Sequence, residues 1–242
     1  MTRLDLFLFE KGFAGSRTEA RRLIEAGLVS VNGSFSVKPS TEVDDSVVIT
    51  VAEADKKYVS RGGLKLEGAL DSFRIDPSGR RCLDVGASSG GFTDCLLQRG
   101  ALAVVAVDSG IGQLSPSLRL DERVICYEKF NARYMTPTDL PFSPSLAVID
   151  VSFISLTLIL PSLYNVLDNG GELICLIKPQ FEVGRSGVGK GGIVKSESLR
   201  KGAIDKVVCC AESLGFSSHG VIRSPIEGGD GNIEFLAYFK KD

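Results

Sequence analysis

The stretch Cys82–Asp108, which reads CLDVGASSGGFTDCLLQRGALAVVAVD, sets the architecture of the chain. A short apolar run ends at Asp84, and a turn with three glycines follows at residues 86–91. A helical stretch, Phe92–Arg99, and a second apolar run, Ala101–Val107, complete the unit. Strand, tight turn, helix and strand in this order open a doubly wound α/β domain. Glycines in such a turn let the backbone approach a ligand closely.

The turn predicts a nucleoside-bearing cofactor, and two kinds compete. A dinucleotide site needs G-x-G-x-x-G, which places a pyrophosphate at the helix N-terminus, but the second glycine is missing here. Asp84 would repel a pyrophosphate and would tolerate the cationic groups of S-adenosylmethionine. Asp108, after the second run, can accept hydrogen bonds from ribose hydroxyls. The pattern D-x-G-x-x-x-G-G therefore favours S-adenosylmethionine, with a tight turn that binds no ligand as the alternative.

We expect the cofactor to contact the turn and the polar residues that follow neighbouring strands. These residues are Asp84, Gly86, Ala87, Ser88, Gly90, Gly91, Phe92, Asp108 and Asn131. After Asp108, Gln113–Leu120 is predicted to be a helix and Val124–Tyr127 a strand. Asn131 follows that strand, at the ligand edge of such a sheet. It either contacts the adenine base or caps a turn, and the sequence leaves both interpretations open.

The composition excludes several classes of protein. The chain has 242 residues, 43% hydrophobic and 24% charged, which is an ordinary globular balance. A net charge of -2 gives no general sign of nucleic-acid binding, so any such binding needs a local patch. None of the six cysteines forms a C-x-x-C pair, and His219 is the only histidine. We therefore expect no metal site, no histidine-based triad and a reduced, cytoplasmic protein.

Neither a membrane span nor a signal peptide is predicted. The longest apolar stretch, Leu146–Leu160, carries Asp150 and stops at Pro161, so it is too short and too polar to cross a bilayer. Arg3 and Asp5 interrupt the start of the chain, and no small-residue cleavage site follows.

Two helices are predicted near the start of the chain. A short apolar helix begins at Leu4. Ser16-Arg17-Thr18-Glu19 is a capping box that starts a second helix, which runs to Ala26. Arg17 and Arg21 share one face of that helix because they are four residues apart.

Short strands follow these helices. The Asn-Gly pair at residues 32–33 predicts a type I′ turn, which joins Leu28–Val31 to Phe35–Val37 in a hairpin. Val47–Val51 is a third short strand. Residues 1–58 are therefore expected to form a small α+β domain.

Residues 59–242 alternate strands and helices, as a parallel sheet requires. Two nearly continuous apolar strands end at Asp150 and at Lys178. Ligands bind at the carboxyl edge of such a sheet, so both side chains are expected at a site. A charged group at the end of a buried strand needs a partner or a function.

Lys65 and Glu234 are the other two charged residues of interest. Lys65 lies on a predicted helix among apolar residues, and Glu234 lies within the last predicted strand, Asn232–Phe239. Considered alone, Lys65 is interpreted as a surface lysine whose stem covers an apolar face, and Glu234 gives no sign of a function. Their position beside Asp150 and Lys178 does not follow from the residues alone.

The N-terminal segment resembles the small RNA-binding domain of ribosomal protein S4. The matching residues are Arg3-Leu4-Asp5, Ser16-Arg17-Thr18-Glu19-Ala20, Ile24, Gly27, Val29, Val31-Asn32-Gly33 and Lys38-Pro39-Ser40. The resemblance implies an RNA surface on the capped helix and hairpin, built from Arg3, Arg17, Arg21, Arg22 and Asn32. Charge alone would not suggest it, because residues 1–58 contain eight Lys or Arg and nine Asp or Glu.

The whole chain resembles the TlyA family, often labelled hemolysins, which joins an S4-like domain to an FtsJ-like methyltransferase domain. The glycine turn, the stretch Tyr58-Val59-Ser60-Arg61-Gly62-Gly63 and the strand ends carry this resemblance. It implies a seven-stranded Rossmann-like sheet and methylation of the ribose 2′-hydroxyl of ribosomal RNA cytidines with S-adenosylmethionine. It also implies a Lys-Asp-Lys-Glu tetrad, which falls on Lys65, Asp150, Lys178 and Glu234.

Two functions outside this class remain as alternatives. One is a membrane-active hemolysin, and the other is an RNA-binding protein without catalysis. The expected partner is ribosomal RNA or a ribosomal subunit, with no metal and no membrane. The sequence leaves open which RNA, which nucleotide and which oligomeric state.

Overall fold

A computed structural model describes residues 1–25, 27–35, 37–51, 57–184, 187–228 and 231–242. The chain forms two compact units, Met1–Lys56 and Lys57–Asp242.

Strands and helices alternate through most of the chain. The strands are β1 (Thr2–Arg3), β2 (Val29–Val31), β3 (Glu42–Val43), β4 (Ile49–Val51), β5 (Arg81–Val85), β6 (Ala103–Val107), β7 (Val124–Tyr127), β8 (Leu146–Ile149), β9 (Glu172–Ile177), β10 (Phe216–Arg223) and β11 (Phe235–Lys241). The α-helices are α1 (Leu4–Glu10), α2 (Arg17–Glu25), α3 (Gly62–Phe73), α4 (Gly91–Gln98), α5 (Pro116–Arg119), α6 (Leu160–Val166), α7 (Pro179–Glu182) and α8 (Glu197–Ser213). Short 3-10 helices are formed by Ala132–Tyr134, Pro137–Asp139, Leu156–Leu158 and Lys190–Gly192.

In the first unit the predicted capping box is only half formed. Ser16 Oγ accepts a hydrogen bond from the backbone N–H of Glu19 at 3.1 Å, as predicted. The Glu19 carboxylate accepts instead from the N–H of Gly15, one residue before the cap, at 2.9 Å. Both bonds satisfy donors at the start of α2, so the signal still marks the helix N-terminus. Ala26, the predicted end of this helix, lies outside the described residues.

The predicted hairpin is much shorter than expected. Asn32 and Gly33 have positive φ angles of 51° and 82°, as a type I′ turn requires. Beyond the turn, however, only a single bridge joins Val31 to Ser34. The strand β2 pairs with β4 instead, with Val29 opposite Val51. Phe35 and Val37 are not in a strand, and Ser36 lies outside the described residues.

The second unit is built on a seven-stranded sheet in the order β10-β11-β9-β8-β5-β6-β7. The strands β9, β8, β5, β6 and β7 run parallel, and β11 pairs antiparallel with both β9 and β10. The parallel strands β5, β6, β8 and β9 are buried on both faces, whereas the edge strand β7 is half-buried. In β8, Leu146 and Val148 face one apolar cluster with α3 and α4, and Ala147 and Ile149 face the other with α6 and α8. Continuous apolar runs are therefore what these strands need.

Two bounds differ from the predictions in a way that matters for the site. The last strand begins at Phe235, so Glu234 lies just before it and not within it. Gln113–Leu120, predicted to be one helix, contains only the single turn of α5. The prediction was wrong there because the segment carries two glycines just upstream and Pro116 within it, which favour turns over a long helix.

Candidate active site

Unpaired polar atoms are concentrated at the carboxyl edge of the sheet. Among the described residues, three buried side-chain oxygens accept no hydrogen bond: Asp84 Oδ1, Gln180 Oε1 and Asp150 Oδ1, the last of which lies 2.5 Å from Lys178 Nζ in an ion pair. Asp84 lies near the end of β5, Asp150 directly follows β8, and Gln180 lies three residues after β9. These strands are neighbours in the sheet. Buried polar atoms without partners are costly, so their grouping at one edge indicates a place prepared for a ligand.

The glycine turn brings the backbone close to this edge. Gly86 has a φ of 83°, and a Cβ added to it would overlap the backbone carbonyl oxygen of Asp150. Gly90 has a φ of 95° and precedes α4. The turn is therefore packed directly against the end of β8. Only glycine fits at residue 86, because both its conformation and its space exclude a side chain.

Asp84 is a fully buried carboxyl group. Its Oδ2 accepts a hydrogen bond from the Thr93 hydroxyl at 2.6 Å, and its Oδ1 has no partner. Burial raises the pKa of Asp84 to about 7, the Thr93 hydrogen bond opposes the rise, and the charges of Asp150 and Asp108 add to it. A bound cation would favour the ionised form. The group therefore suits a ligand that carries positive charge, and its contact with the cofactor stays a prediction.

Asp108 shapes the loop beside the turn. Its two carboxylate oxygens accept hydrogen bonds from the N–H groups of Ser88 at 2.8 Å and Gly110 at 2.7 Å. A carboxylate oxygen can accept more than one bond, so these contacts leave room for ribose hydroxyls. Asp108 is partly exposed, which keeps it accessible.

Two of the residues that are predicted to contact the cofactor have structural roles. Phe92 is 3% exposed and lies in the apolar cluster with α3, so its side chain is part of the core. Asn131 caps the 3-10 helix Ala132–Tyr134, since its Oδ1 accepts from the N–H of Arg133 at 3.2 Å. Of the two interpretations of Asn131, the structure shows the turn cap. An adenine contact by this residue stays a prediction.

Lys178 and Asp150 form the first of two lysine–acid pairs. Lys178 Nζ lies 2.5 Å from Asp150 Oδ1 and donates a hydrogen bond to Ser152 Oγ at 3.0 Å. The contact with Asp150 is an ion pair. The side chains are 12% and 21% exposed, which keeps them within reach of a substrate.

Lys65 and Glu234 form the second pair. Lys65 Nζ donates to Glu234 Oε2, and the two side chains are 10% and 3% exposed. Lys65 comes from α3 on one face of the sheet, and Glu234 precedes β11. The pairing of β11 with β9 ends at Phe235 opposite Ile177, so Glu234 and Lys178 each lie one residue beyond the last paired position. Each lysine has a different acid as its partner, and the polar contacts of Lys178 include Asp150 and Ser152.

Sequence reasoning missed Phe153, an aromatic residue three positions after Asp150. Its side chain is 91% exposed, and its φ of 65° lies in the left-handed region, which is unusual for a bulky residue. Its ring lies 5.2 Å from the ring of Phe181. A strained, exposed aromatic side chain next to a candidate site is a mark of function. The only signal in the sequence was an aromatic residue soon after a buried strand.

The predicted RNA-binding residues of the first unit are exposed, but most of them already contact other groups of the protein. The buried Asp5 accepts from Arg3 Nε and Arg17 Nε, each at 3.1 Å, and the hydrogen bond from Arg3 holds the pKa of Asp5 below its usual value. Arg21 lies 4.0 Å from Glu25. Asn32 Oδ1 accepts from the N–H of Val48 at 2.8 Å, so it fixes the turn. Arg22 is exposed on α2.

Two features are absent from the described parts of the chain. No group of three or more His, Cys, Asp or Glu side chains in them is arranged to hold a metal ion. None of the helices found there is both long enough and apolar enough to cross a membrane.

Family models match both units. The FtsJ-like methyltransferase model matches residues 58–241, and the S4 domain model matches residues 2–49. The first match alone covers more than half of the chain.

Relatives match over nearly the full length. The 16S/23S rRNA (cytidine-2′-O)-methyltransferase TlyA of Mycobacterium tuberculosis is 46% identical over 98% of this chain and 89% of its own. Hemolysin A of Brachyspira hyodysenteriae is 44% identical over 98% and 99%. A solved structure, a putative hemolysin from Streptococcus thermophilus, is 46% identical with a TM-score of 0.80, and covers 99% of this chain and 88% of that one. The chain therefore belongs to the TlyA family of S-adenosylmethionine-dependent, FtsJ-like methyltransferases.

Proposed function

We propose that this protein transfers a methyl group from S-adenosylmethionine to the ribose 2′-hydroxyl of a cytidine in ribosomal RNA. The observation that carries the proposal is the pair of lysine–acid contacts, Lys178–Asp150 and Lys65–Glu234, at the sheet edge that also holds the glycine turn. A ribose hydroxyl is a weak acid, so its methylation needs a base and precise alignment. The names of the relatives supply the ribosomal RNA and the cytidine.

The cofactor would be held by the glycine turn and its flanking acids. When bound, S-adenosylmethionine supplies an electrophilic methyl group on a positively charged sulfur. Asp108 is expected to hold the ribose hydroxyls, and the unpaired oxygen of Asp84 favours the positive charge of the ligand. The backbone of Gly86 and Gly90 leaves room for close approach.

Lys178 is the proposed general base. In its neutral form the amine would accept the proton of the 2′-hydroxyl as the ribose oxygen bonds to the methyl carbon, the bond from that carbon to sulfur breaks, and S-adenosylhomocysteine leaves as the neutral thioether. Asp150 and Ser152, which contact Nζ, hold the amine in place. Lys65 and Glu234, the second lysine–acid pair, are expected to hold the ribose in line.

Phe153 is proposed to stack on the base of the target nucleotide. Bases that are held out of an RNA helix are commonly stacked on aromatic side chains. The exposed ring of Phe153 is three residues from Asp150, and the neighbouring Ser152 contacts Lys178. Stacking there would place the attached ribose near the base.

The first unit is proposed to dock the RNA through Arg3, Arg17, Arg21 and Arg22. Two of these arginines are held by the buried Asp5, so their guanidinium groups are ordered before any phosphate arrives. Ordering in advance reduces the entropy lost on binding.

The test is methylation of purified ribosomal subunits by the full chain with labelled S-adenosylmethionine, followed by mass mapping of the RNA. We expect one methyl group per site, on a ribose of a cytidine. Deleting residues 1–56 should spare cofactor binding, measured by calorimetry, and abolish methylation of folded RNA. RNA binding by the full chain should fall as salt rises, because phosphate contacts release counterions.

Two results would contradict the proposal. A methyl group found on a base and not on a ribose would refute the reaction. Full activity of the truncated enzyme would refute the docking role of the first unit.

A further inference from the structure

Glu182, which the proposed mechanism does not use, is the most completely buried carboxylate near the site that also holds an ion pair. Its side chain is 1% exposed. Oε1 accepts from the backbone N–H of Leu156 at 2.7 Å, and Oε2 accepts from Ser155 Oγ at 2.5 Å and from Lys206 Nζ at 3.0 Å. Every one of these partners lies outside its own helix, α7.

These contacts join the two loops that carry the Lys178–Asp150 pair. The helix α7 starts directly after Lys178 and ends at Glu182. Ser155 and Leu156 lie five and six residues after Asp150. The two loops are thus connected next to the strand ends by the Lys178–Asp150 pair, and four to six residues farther along the chain by the contacts of Glu182.

Other contacts around Glu182 make the connection rigid. Lys206, from α8, also donates to the backbone oxygen of Glu182 at 3.0 Å and to Ser155 Oγ at 3.2 Å. The rings of Phe153 and Phe181 bridge the same two loops. Burying the charged Glu182 carboxylate costs desolvation, although Lys206 is 44% exposed, and apolar packing would often be as stable. What such a network provides is a fixed geometry, since each hydrogen bond sets a distance and an angle.

We propose that Glu182 is a positioning residue, which sets the placement of Lys178 relative to Asp150. The inference rests on the proposed function, because it assigns Glu182 to the alignment of that general base. A shift of about 1 Å in such a pair can reduce a rate by about a hundredfold.

Glu182→Gln is the principal variant. It keeps the volume of the side chain, but its NH₂ group must face a donor, either the Leu156 N–H or the Lys206 ammonium. Ser155→Ala removes only one donor, and it serves if the first variant does not fold. The matched control is Glu172→Gln, which breaks a partly buried ion pair with Arg80 at the opposite edge of the sheet.

Two measurements on the full chain test whether Glu182 positions Lys178 relative to Asp150. The first is the single-turnover rate of methylation with saturating cofactor and ribosomal subunits, together with the affinity for each. For Glu182→Gln we expect the rate to fall about tenfold to a hundredfold with both affinities unchanged. Glu172→Gln should keep the wild-type rate and both affinities.

The second measurement is amide hydrogen exchange, which needs no activity. Exchange in residues 150–158 and 178–184 should be faster in Glu182→Gln and unchanged in Glu172→Gln. A wild-type rate, or unchanged exchange in these loops, would overturn the role of Glu182. A wild-type enzyme that does not methylate ribosomal RNA would refute the proposed function instead, and the exchange data would still show whether Glu182 orders the loops.

Discussion

The two edges of the central sheet bury charged groups in opposite ways. At the amino edge, Arg80 pairs with Glu172 and donates to Ser145, and the Tyr238 hydroxyl donates to Glu172. Burial opposes ionisation of Glu172, but hydrogen bonds from Tyr238 and Arg80 outweigh it and hold its pKa below the usual value. At the carboxyl edge, Asp84 has a raised pKa and an unpaired oxygen.

This difference separates stability from function within one sheet. The amino edge satisfies its charged groups with each other, so it contributes to the free energy of folding and leaves nothing for a ligand. The carboxyl edge keeps unpaired oxygens, a strained Phe153 and a buried acid with a perturbed pKa. Such features are concentrated at functional sites. Changes at the two edges should therefore act on different measurements.

The largest effect on activity is expected from Lys178→Arg. Arginine keeps the positive charge but stays protonated, so it cannot act as a base. Methylation should fall about a hundredfold or more, while cofactor affinity measured by calorimetry stays the same. The wild-type rate should rise with pH and then level off. Lys201→Arg, an exposed exchange of the same type on α8, is the control. A near-normal rate in Lys178→Arg would show that another group or solvent takes the proton.

The next largest effect is expected from Phe153→Ala. Stacking of a base on an aromatic ring contributes about 1–3 kcal/mol, so kcat/KM should fall by roughly fivefold to a hundredfold. Cofactor affinity should not change. Leu102→Ala, which removes another exposed apolar side chain at the amino edge, should leave kcat/KM intact. Equal activity of Phe153→Ala and the wild type would remove the stacking role.

A smaller effect is expected from pH, through Asp84. A cationic cofactor favours the ionised carboxylate, so its affinity should rise by about tenfold between pH 6 and pH 8 as a group with a pKa of about 7 loses its proton. Binding should release protons near pH 7, which calorimetry in buffers of different ionisation enthalpy detects. Asp84→Asn should abolish the pH dependence. An affinity that is flat over this range would contradict the assignment.

The raised pKa of Asp84 also predicts the direction in which the stability of the folded protein changes with pH. The pKa of Asp84 is 3.8 in the reference state and about 7 in the folded protein, so between these values the folded state binds the extra proton. On account of Asp84, the free energy of unfolding of the cofactor-free protein should therefore decrease as pH rises from about 4 to 7. Denaturation of the wild type and of Asp84→Asn across this range measures the difference.

The smallest effect on activity is expected at the amino edge. Glu172→Gln removes the charge that pairs with Arg80 and should reduce the free energy of unfolding by about 1–3 kcal/mol. The methylation rate below the melting temperature should match that of the wild type. A large loss of rate without a loss of stability would mean that the two edges are not separate in function.

The type of fold and the place of the candidate site follow from local patterns in the sequence. The apolar runs that end near Asp84, Asp150 and Lys178 predict a parallel sheet, because strands buried on both faces need continuous apolar residues. They also predict that the three side chains lie at one edge, because parallel strands end at the same edge of a sheet. The glycine turn could also be predicted from the sequence, since only glycine tolerates the conformation at residue 86. Local signals of this kind act over a few residues.

The pairing of the charged groups, in contrast, comes from the packing of distant elements. Lys65 and Glu234 are 169 residues apart in the chain, and their contact depends on the packing of α3 against the sheet and on the antiparallel register of β11. The same holds for the bonds of Glu182 to Ser155 and Lys206, and for the strain at Phe153. These features depend on the distances between elements, and no local pattern of residues encodes such distances.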